Sequence, residues 1–183
     1  MRAAALAVSL ALAAGCQPSA PADGAAAPAG SAAQAEPAPD PAAVAALDGT
    51  FDPERDPEAD LQLTMEEARR SGRRIMLDVG GEWCSWCHRM DAFFRDDAEL
   101  HALRDAGYVW MKVNYSEDNE NAAFLAQFPD VKAYPHLFVL DADGKLLHSQ
   151  FTGELELDKG YDREKFDAFL RAWLPPTGEQ AGA

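Results

Sequence analysis

Cysteine is scarce: the 183-residue chain has three, at positions 16, 84 and 87. A disulfide-stapled exported scaffold would carry several bridges, so that class is excluded. A zinc module would need four ligands, and here one close-spaced cysteine pair stands beside four scattered histidines. Basic residues are also few, 16 Lys and Arg against 31 Asp and Glu, for a formal net charge of −15. Charge therefore offers no attraction to nucleic acid or to an anionic membrane surface, and the acidic excess reads as a solvated exterior. Aromatic residues are missing between Gln17 and Ala46, where Ala, Pro, Gly and Ser dominate. Such a stretch cannot bury enough apolar area to offset its ordering entropy, and is expected to be a disordered tether reaching about 30 Å.

What is present begins with Arg2, then an apolar run from Ala3 to Ala14, then Gly15-Cys16. The run is too short to cross a bilayer and reads as a secretory signal peptide. Leu12-Ala13-Ala14-Gly15-Cys16 resembles a bacterial lipoprotein signal, with the leucine one position further back than usual. The resemblance implies a lipid-modified Cys16, which leaves one cysteine pair and no odd thiol. It also implies an exported, periplasm-facing chain attached to membrane through the lipid alone, and Gln17 after the cysteine implies the outer membrane. The expected organisation is a signal peptide over 1–15, a tether over 16–47, a folded domain over 48–175 and a disordered tail over 176–183. A monomer is expected.

Within the domain, Thr64-Met65-Glu66-Glu67 fits a capping box, predicting a short helix from Thr64 that ends near Ser71-Gly72. Arg73 to Val79 is a mostly continuous apolar strand, as expected of a central parallel strand covered on both faces. A helix to about Phe94 follows, then a second capped by Asp96 or Asp97, a strand over Tyr108–Val113 and a helix over Asn119–Phe128. His136–Leu140 is a further strand, joined by the hairpin signal Asp143-Gly144 to a strand through Phe151. Asp162 caps a last amphipathic helix that Pro175-Pro176 stops. Strands separated by helices predict a βαβ unit with parallel pairing, the hairpin adding an antiparallel edge. The fold class is therefore α/β, a central mixed sheet flanked by helices, with Phe93, Phe94, Trp110 and Phe138 in the core.

The chemistry concentrates in Asp78-Val79-Gly80-Gly81-Glu82-Trp83-Cys84-Ser85-Trp86-Cys87-His88, where a strand gives way to a helix. Cysteines at a helix start are poised for chemistry, because the helix N-terminus favours the thiolate. Asp78 interrupts an apolar strand, where burial raises a carboxyl pKa and suits it to accept a proton from Cys87. The same letters spell Cys-x-x-Cys-His, the attachment pattern for c-type haem, with Met90 or Met111 as distal ligands. That electron-carrier alternative fits poorly with four strands around the motif.

Four features in register make the chain resemble the thioredoxin superfamily over roughly Asp60 to Leu174. They are Trp83-Cys84-Ser85-Trp86-Cys87 at the strand-to-helix junction, Asp78 six residues before the first cysteine, Lys112 on the next strand, and Tyr134-Pro135 before the penultimate one. The wording of the motif points to a bacterial exported, thioredoxin-like branch. The resemblance implies a thioredoxin-like fold and a protein-disulfide oxidoreductase, reductase or isomerase, that needs no cofactor beyond a redox-active Cys84–Cys87 disulfide. Cys84 would be the nucleophile, Cys87 the resolving thiol, Asp78 the proton acceptor with Lys112 as its partner, and Tyr134–Pro135 a cis bond beside the substrate. Trp83 and Trp86 would form an apolar collar for substrate, with a core position equally open for Trp86. His88 either tunes Cys87 or is merely solvated, and Glu82 and Asp91 are expected to be solvated. The implied partners are disulfide-bearing exported proteins and a membrane thiol-electron donor.

Overall fold

The strand Arg74–Gly80 (β1) is one of the two inner strands of a four-stranded sheet, and from Ile75 onward every residue of it is buried. The computed structural model describes residues 38–176; the expected signal peptide, Cys16, most of the tether and residues 177–183 lie outside the described residues. Before β1 come α1 (Pro41–Ala46) and α2 (Pro57–Ser71); after it come α3 (Ser85–Asp96), α4 (Ala98–Gly107) and β2 (Tyr108–Asn114). The chain continues through α5 (Ala122–Leu125), β3 (His136–Leu140) and β4 (Leu146–Phe151). A 3₁₀ turn over Thr152–Leu155, a two-strand ribbon, β5 (Glu156–Leu157) with β6 (Gly160–Tyr161), and α6 (Arg163–Ala172) complete it.

β1 and β2 pair in parallel through the α3–α4 crossover, with Asp78 opposite Lys112. β3 runs antiparallel to both β1 and β4, so the expected β3–β4 hairpin forms that side of the sheet and β3 is its one reversed strand. The period-two alternation of the strands divides the core into two layers. Met76, Trp110, Leu137 and Val139 point toward α3 and α6, where Met90, Phe94, Phe166 and Leu170 are buried. Ile75, Leu77, Met111 and Phe138 point the other way, toward Leu61 and Ala68 of α2 and Phe124 of α5. This mixed sheet with a helical layer on each face is the expected fold class.

Local chemistry explains the departures. α2 starts seven residues before Thr64, because Asp56 accepts the Glu58 and Ala59 amides and Pro57 occupies N1, where its missing N–H costs nothing. Thr64 is instead a mid-helix residue bonded to the Asp60 carbonyl, and the Glu67 carboxylate turns to Arg70 and Arg73. α5 is four residues long and begins only at Ala122, the asparagines before it serving the loop. Asn119 donates to the Pro53 carbonyl, and Asn121, at φ 46°, donates to that of Asn114.

The expected tether boundary at residue 47 is also corrected. Asp40 and Pro41 open α1, and Leu47 after it is 1 % exposed in the sheet core, its carbonyl accepting the Lys112 amide at 2.8 Å. The folded domain therefore includes this helix and the strap that follows it. Burial of one leucine is enough to test the point. Leu47→Ala should lower the unfolding free energy in urea by about 2–5 kcal/mol, the usual cost of a buried leucine truncation. A residue of a disordered tether would lose almost nothing.

Candidate active site

Gly80 ends β1, and the sulfur of Cys87 lies so close above it that a Cβ there would stand 2.5 Å from Sγ. A glycine is needed for this close approach, which seats the first turn of α3 directly on the end of the strand. Cys84 is the N-cap of α3, in extended conformation, and its sulfur accepts the Cys87 amide at 3.1 Å. The two cysteines form a disulfide, with Cα atoms 5.3 Å apart. Cys84 is 3 % exposed and Cys87 fully buried, so the first cysteine is the one nearer solvent.

Asp78 shares its face of β1 with Gly80, and thus lies next along the strand from the point where Cys87 descends. One carboxylate oxygen accepts the Trp110 indole N–H at 3.3 Å; the other, Oδ1, is buried without a partner. Burial pushes its pKa up to about 7, against an opposing pull from the Lys112 ammonium, with Asp91 adding to the rise. A carboxyl of that kind is suited to exchange a proton near neutrality.

Lys112 is opposite Asp78 in register, but its ammonium does not bond to it. It donates to Asp91 at 2.8 Å and to the Gly49 carbonyl at 3.1 Å. Asp91, expected to be solvated, is thus the ion-pair partner of a buried lysine, and Lys112 reaches Asp78 through its field alone. Asp91 sits one helical turn beyond Cys87, a spacing that could have revealed it.

The aromatic residues divide. Trp83 is 57 % exposed, its indole N–H held by the Tyr115 carbonyl at 2.6 Å, and it meets Tyr134 edge-on at 5.5 Å. Beside it a groove of about 610 Å³ is lined by Tyr115, Glu117, Asp118 and Glu120. Trp86 is half-buried, edge-on to Tyr161 with the Arg89 guanidinium over its ring. The Tyr134–Pro135 bond is cis, and Tyr134 stacks on Tyr115 while packing against the cysteine pair. The Pro135 carbonyl accepts the Thr152 hydroxyl at 2.5 Å. Tyr134 thus joins Trp83 to the disulfide, and Trp86 packs both against the cysteine pair and against Tyr161.

Besides Asp91, Phe51 and Glu82 escaped the sequence reading. Phe51 is 1 % exposed and packs on both cysteines, its amide donating to the Glu82 carboxylate at 2.8 Å. Glu82, expected to be solvated, is therefore a hydrogen-bond acceptor in the loop before Cys84. Nothing in the local pattern around Phe51 foretells its position, because the contact spans 31 residues. His88 bonds through Nε2 to the Glu82 carbonyl at 2.8 Å. It serves the same loop, and both neighbouring sulfurs are bonded to each other. Among the described residues there is no group of three or more His, Cys, Asp or Glu placed to hold a metal ion.

A family model described as thioredoxin-like matches residues 56–142. The thiol:disulfide interchange protein DsbD of Pseudomonas fluorescens is 28 % identical over 116 residues, covering 62 % of this chain and 18 % of the relative. DsbD of Colwellia psychrerythraea is 27 % identical over 94 residues, 50 % of this chain and 15 % of the relative. The chain thus spans less than a fifth of either relative's length. A disulphide isomerase structure from Xylella fastidiosa superposes with a TM-score of 0.56 at 21 % identity, covering 67 % of this chain and 95 % of that one. The fold is thioredoxin-like.

The raised pKa of Asp78 has a consequence for stability. The unfolded carboxyl ionises near its ordinary value of 3.8, the folded one near 7, so between these values the folded state binds the extra proton. Stability contributed by the protonated carboxyl is complete below pH 4 and lost as pH rises through 7. In the disulfide form, Asp78→Asn should therefore gain little at pH 4 and up to about 4 kcal/mol at pH 8, measured by urea unfolding across that range.

Proposed function

We propose that the chain is a thiol-disulfide oxidoreductase, a reductase or isomerase, acting on the disulfides of exported proteins. The observation that carries the reading is the Cys84–Cys87 disulfide at the N-terminus of α3, its inner sulfur set over Gly80 beside the buried Asp78. The reduced Cys84 thiolate attacks a substrate disulfide, forming a new S–S bond and expelling one substrate sulfur as a thiolate. Cys87 then attacks Cys84, releasing the substrate reduced and restoring the disulfide. Asp78 takes the proton that Cys87 gives up, and Lys112, fixed by Asp91, moderates its charge. Trp83 and Tyr134 provide the apolar contacts for substrate chain running past Pro135. The match to DsbD and the likeness to a disulphide isomerase support this chemistry.

The same proposal places the domain in the periplasm, held by a lipid on Cys16 after removal of residues 1–15, and recharged by a membrane thiol-electron donor. It invokes no cofactor beyond the dithiol.

Expression of a Cys87→Ala variant in the host should accumulate mixed disulfides on Cys84 that dithiothreitol releases, and Cys84→Ala should accumulate none. No trapped protein, together with a wild-type disulfide inert to dithiols, would overturn the assignment. So would an intense haem band in the visible spectrum of the purified protein, which would restore the electron-carrier alternative. For the anchor, metabolic labelling with a radioactive fatty acid should mark the wild-type chain and leave Cys16→Ala unlabelled.

A further inference from the structure

The strap between α1 and α2 is bound to the redox centre at every other residue. The Leu47 carbonyl takes the Lys112 amide, the Gly49 carbonyl takes the Lys112 ammonium, and the Phe51 amide is held by Glu82. These anchors deliver the Phe51 ring into contact with the two cysteines, as the one fully buried side chain beside them, with Trp86 and Tyr134 packed on the outside of the cluster. The ring and the Cys87 sulfur crowd the same point above Gly80. A Cβ placed there would lie 2.5 Å from the sulfur and 3.1 Å from the ring edge. The Lys112 ammonium lies over the ring, 4.8 Å from its centroid. Glu82, which latches the strap, belongs to the loop that leads into Cys84, and His88 braces that loop through the Glu82 carbonyl.

We infer that Phe51, latched by Glu82, is the shield that keeps Cys87 out of reach of external thiols and electrophiles and confines intermolecular exchange to Cys84. Two sulfurs joined in one disulfide are both open to attack in principle, and access decides which is hit. When a donor dithiol reduces the pair, its thiolate bonds to Cys84 Sγ, the Cys84–Cys87 bond breaks and Cys87 leaves as the thiolate. Attack on Cys87 would strand the mixed disulfide beneath the ring, where a second partner could not reach it. Phe51 thus acts on the site through Cys87, as a positioning residue. The inference rests on the reading of Cys84 and Cys87 as an exchanging dithiol, but it is tested without any protein substrate.

The test is a brief iodoacetamide pulse on the reduced full chain at pH 8, with the two cysteines quantified separately by mass spectrometry. Each alkylation forms an S–C bond and expels iodide, so the ratio of modified Cys87 to modified Cys84 reads relative access. Wild type should be labelled on Cys84 almost alone. Phe51→Ala should raise the Cys87-to-Cys84 ratio about fivefold or more, and Phe51→Leu should return it toward wild type, since reactivity follows access. Leu47→Ala supplies the control, a core truncation in the same strap that does not touch the cysteines, and its ratio should stay at the wild-type value. Should Phe51→Ala fail to fold, Glu82→Ala leaves the apolar contacts intact while releasing the latch, and should raise the ratio about twofold. An unchanged ratio in the folded Phe51→Ala variant, or in Glu82→Ala where that variant stands in, would overturn the shield. So would an equal rise in Leu47→Ala. Failure of disulfide trapping with a shifted ratio would overturn the oxidoreductase reading and leave the shield standing.

Discussion

The approach of the Cys87 sulfur to Gly80 is the contact on which the rest of the site depends. A strand that ends without a side chain lets a helix begin directly upon it. The first turn of α3 then holds both cysteines, Cys84 as N-cap nearer the surface and Cys87 in the core. The same gap admits the Phe51 ring, so a segment 30 residues earlier in the chain becomes a wall of the site. A methyl group at position 80 would have to displace the sulfur, the ring or the whole helix.

Electrostatics around this contact follow from burial. Three carboxylates (Asp48, Asp78 and Asp91) and two cations (Arg104 and Lys112) share the space between the strap, β1, β2, α3 and α4. Arg104 pairs with Asp48, whose pKa burial raises, and Lys112 pairs with Asp91. Each cation thus has a carboxylate of its own, and Asp78 is left with an indole N–H and one bare oxygen. Its high proton affinity comes from desolvation that neighbouring charges only partly oppose. The buried His136, just after the cis peptide, shows the mirror effect: desolvation drives its pKa down to about 4, so it stays neutral.

Local signals in the chain were strong where one element decided them. Gly72 at φ 72° after α2, Gly144 at φ 80° in the β3–β4 hairpin, and Asp97 and Asp162 as caps are all short-range chemistry, and each sits where turn and cap preferences place it. Signals failed where two solutions competed locally, as at α2, where Asp56-Pro57 outdid the capping box of Thr64 and Glu67. They failed again in the alanine- and proline-rich lead-in. Composition there argued for a tether throughout, yet Leu47 found a place in the core and carried the end of that stretch into the fold.

What the sequence by itself determined was the strand–turn–helix setting of Cys84 and Cys87, the interruption of an apolar strand by Asp78, and the mixed sheet of alternating strands and helices. These follow from periodicity, caps and register, which are properties of neighbours along one chain. Only the tertiary structure decided where long side chains and distant segments go. Strand pairing sets Lys112 opposite Asp78 without saying where a flexible ammonium will bond, and the carboxylate that claims it comes from α3. Phe51, its latch Glu82 and the brace His88 meet through contacts of low sequence specificity across a folded surface. Such contacts leave no local pattern, because each residue is ordinary until the fold brings its partner near.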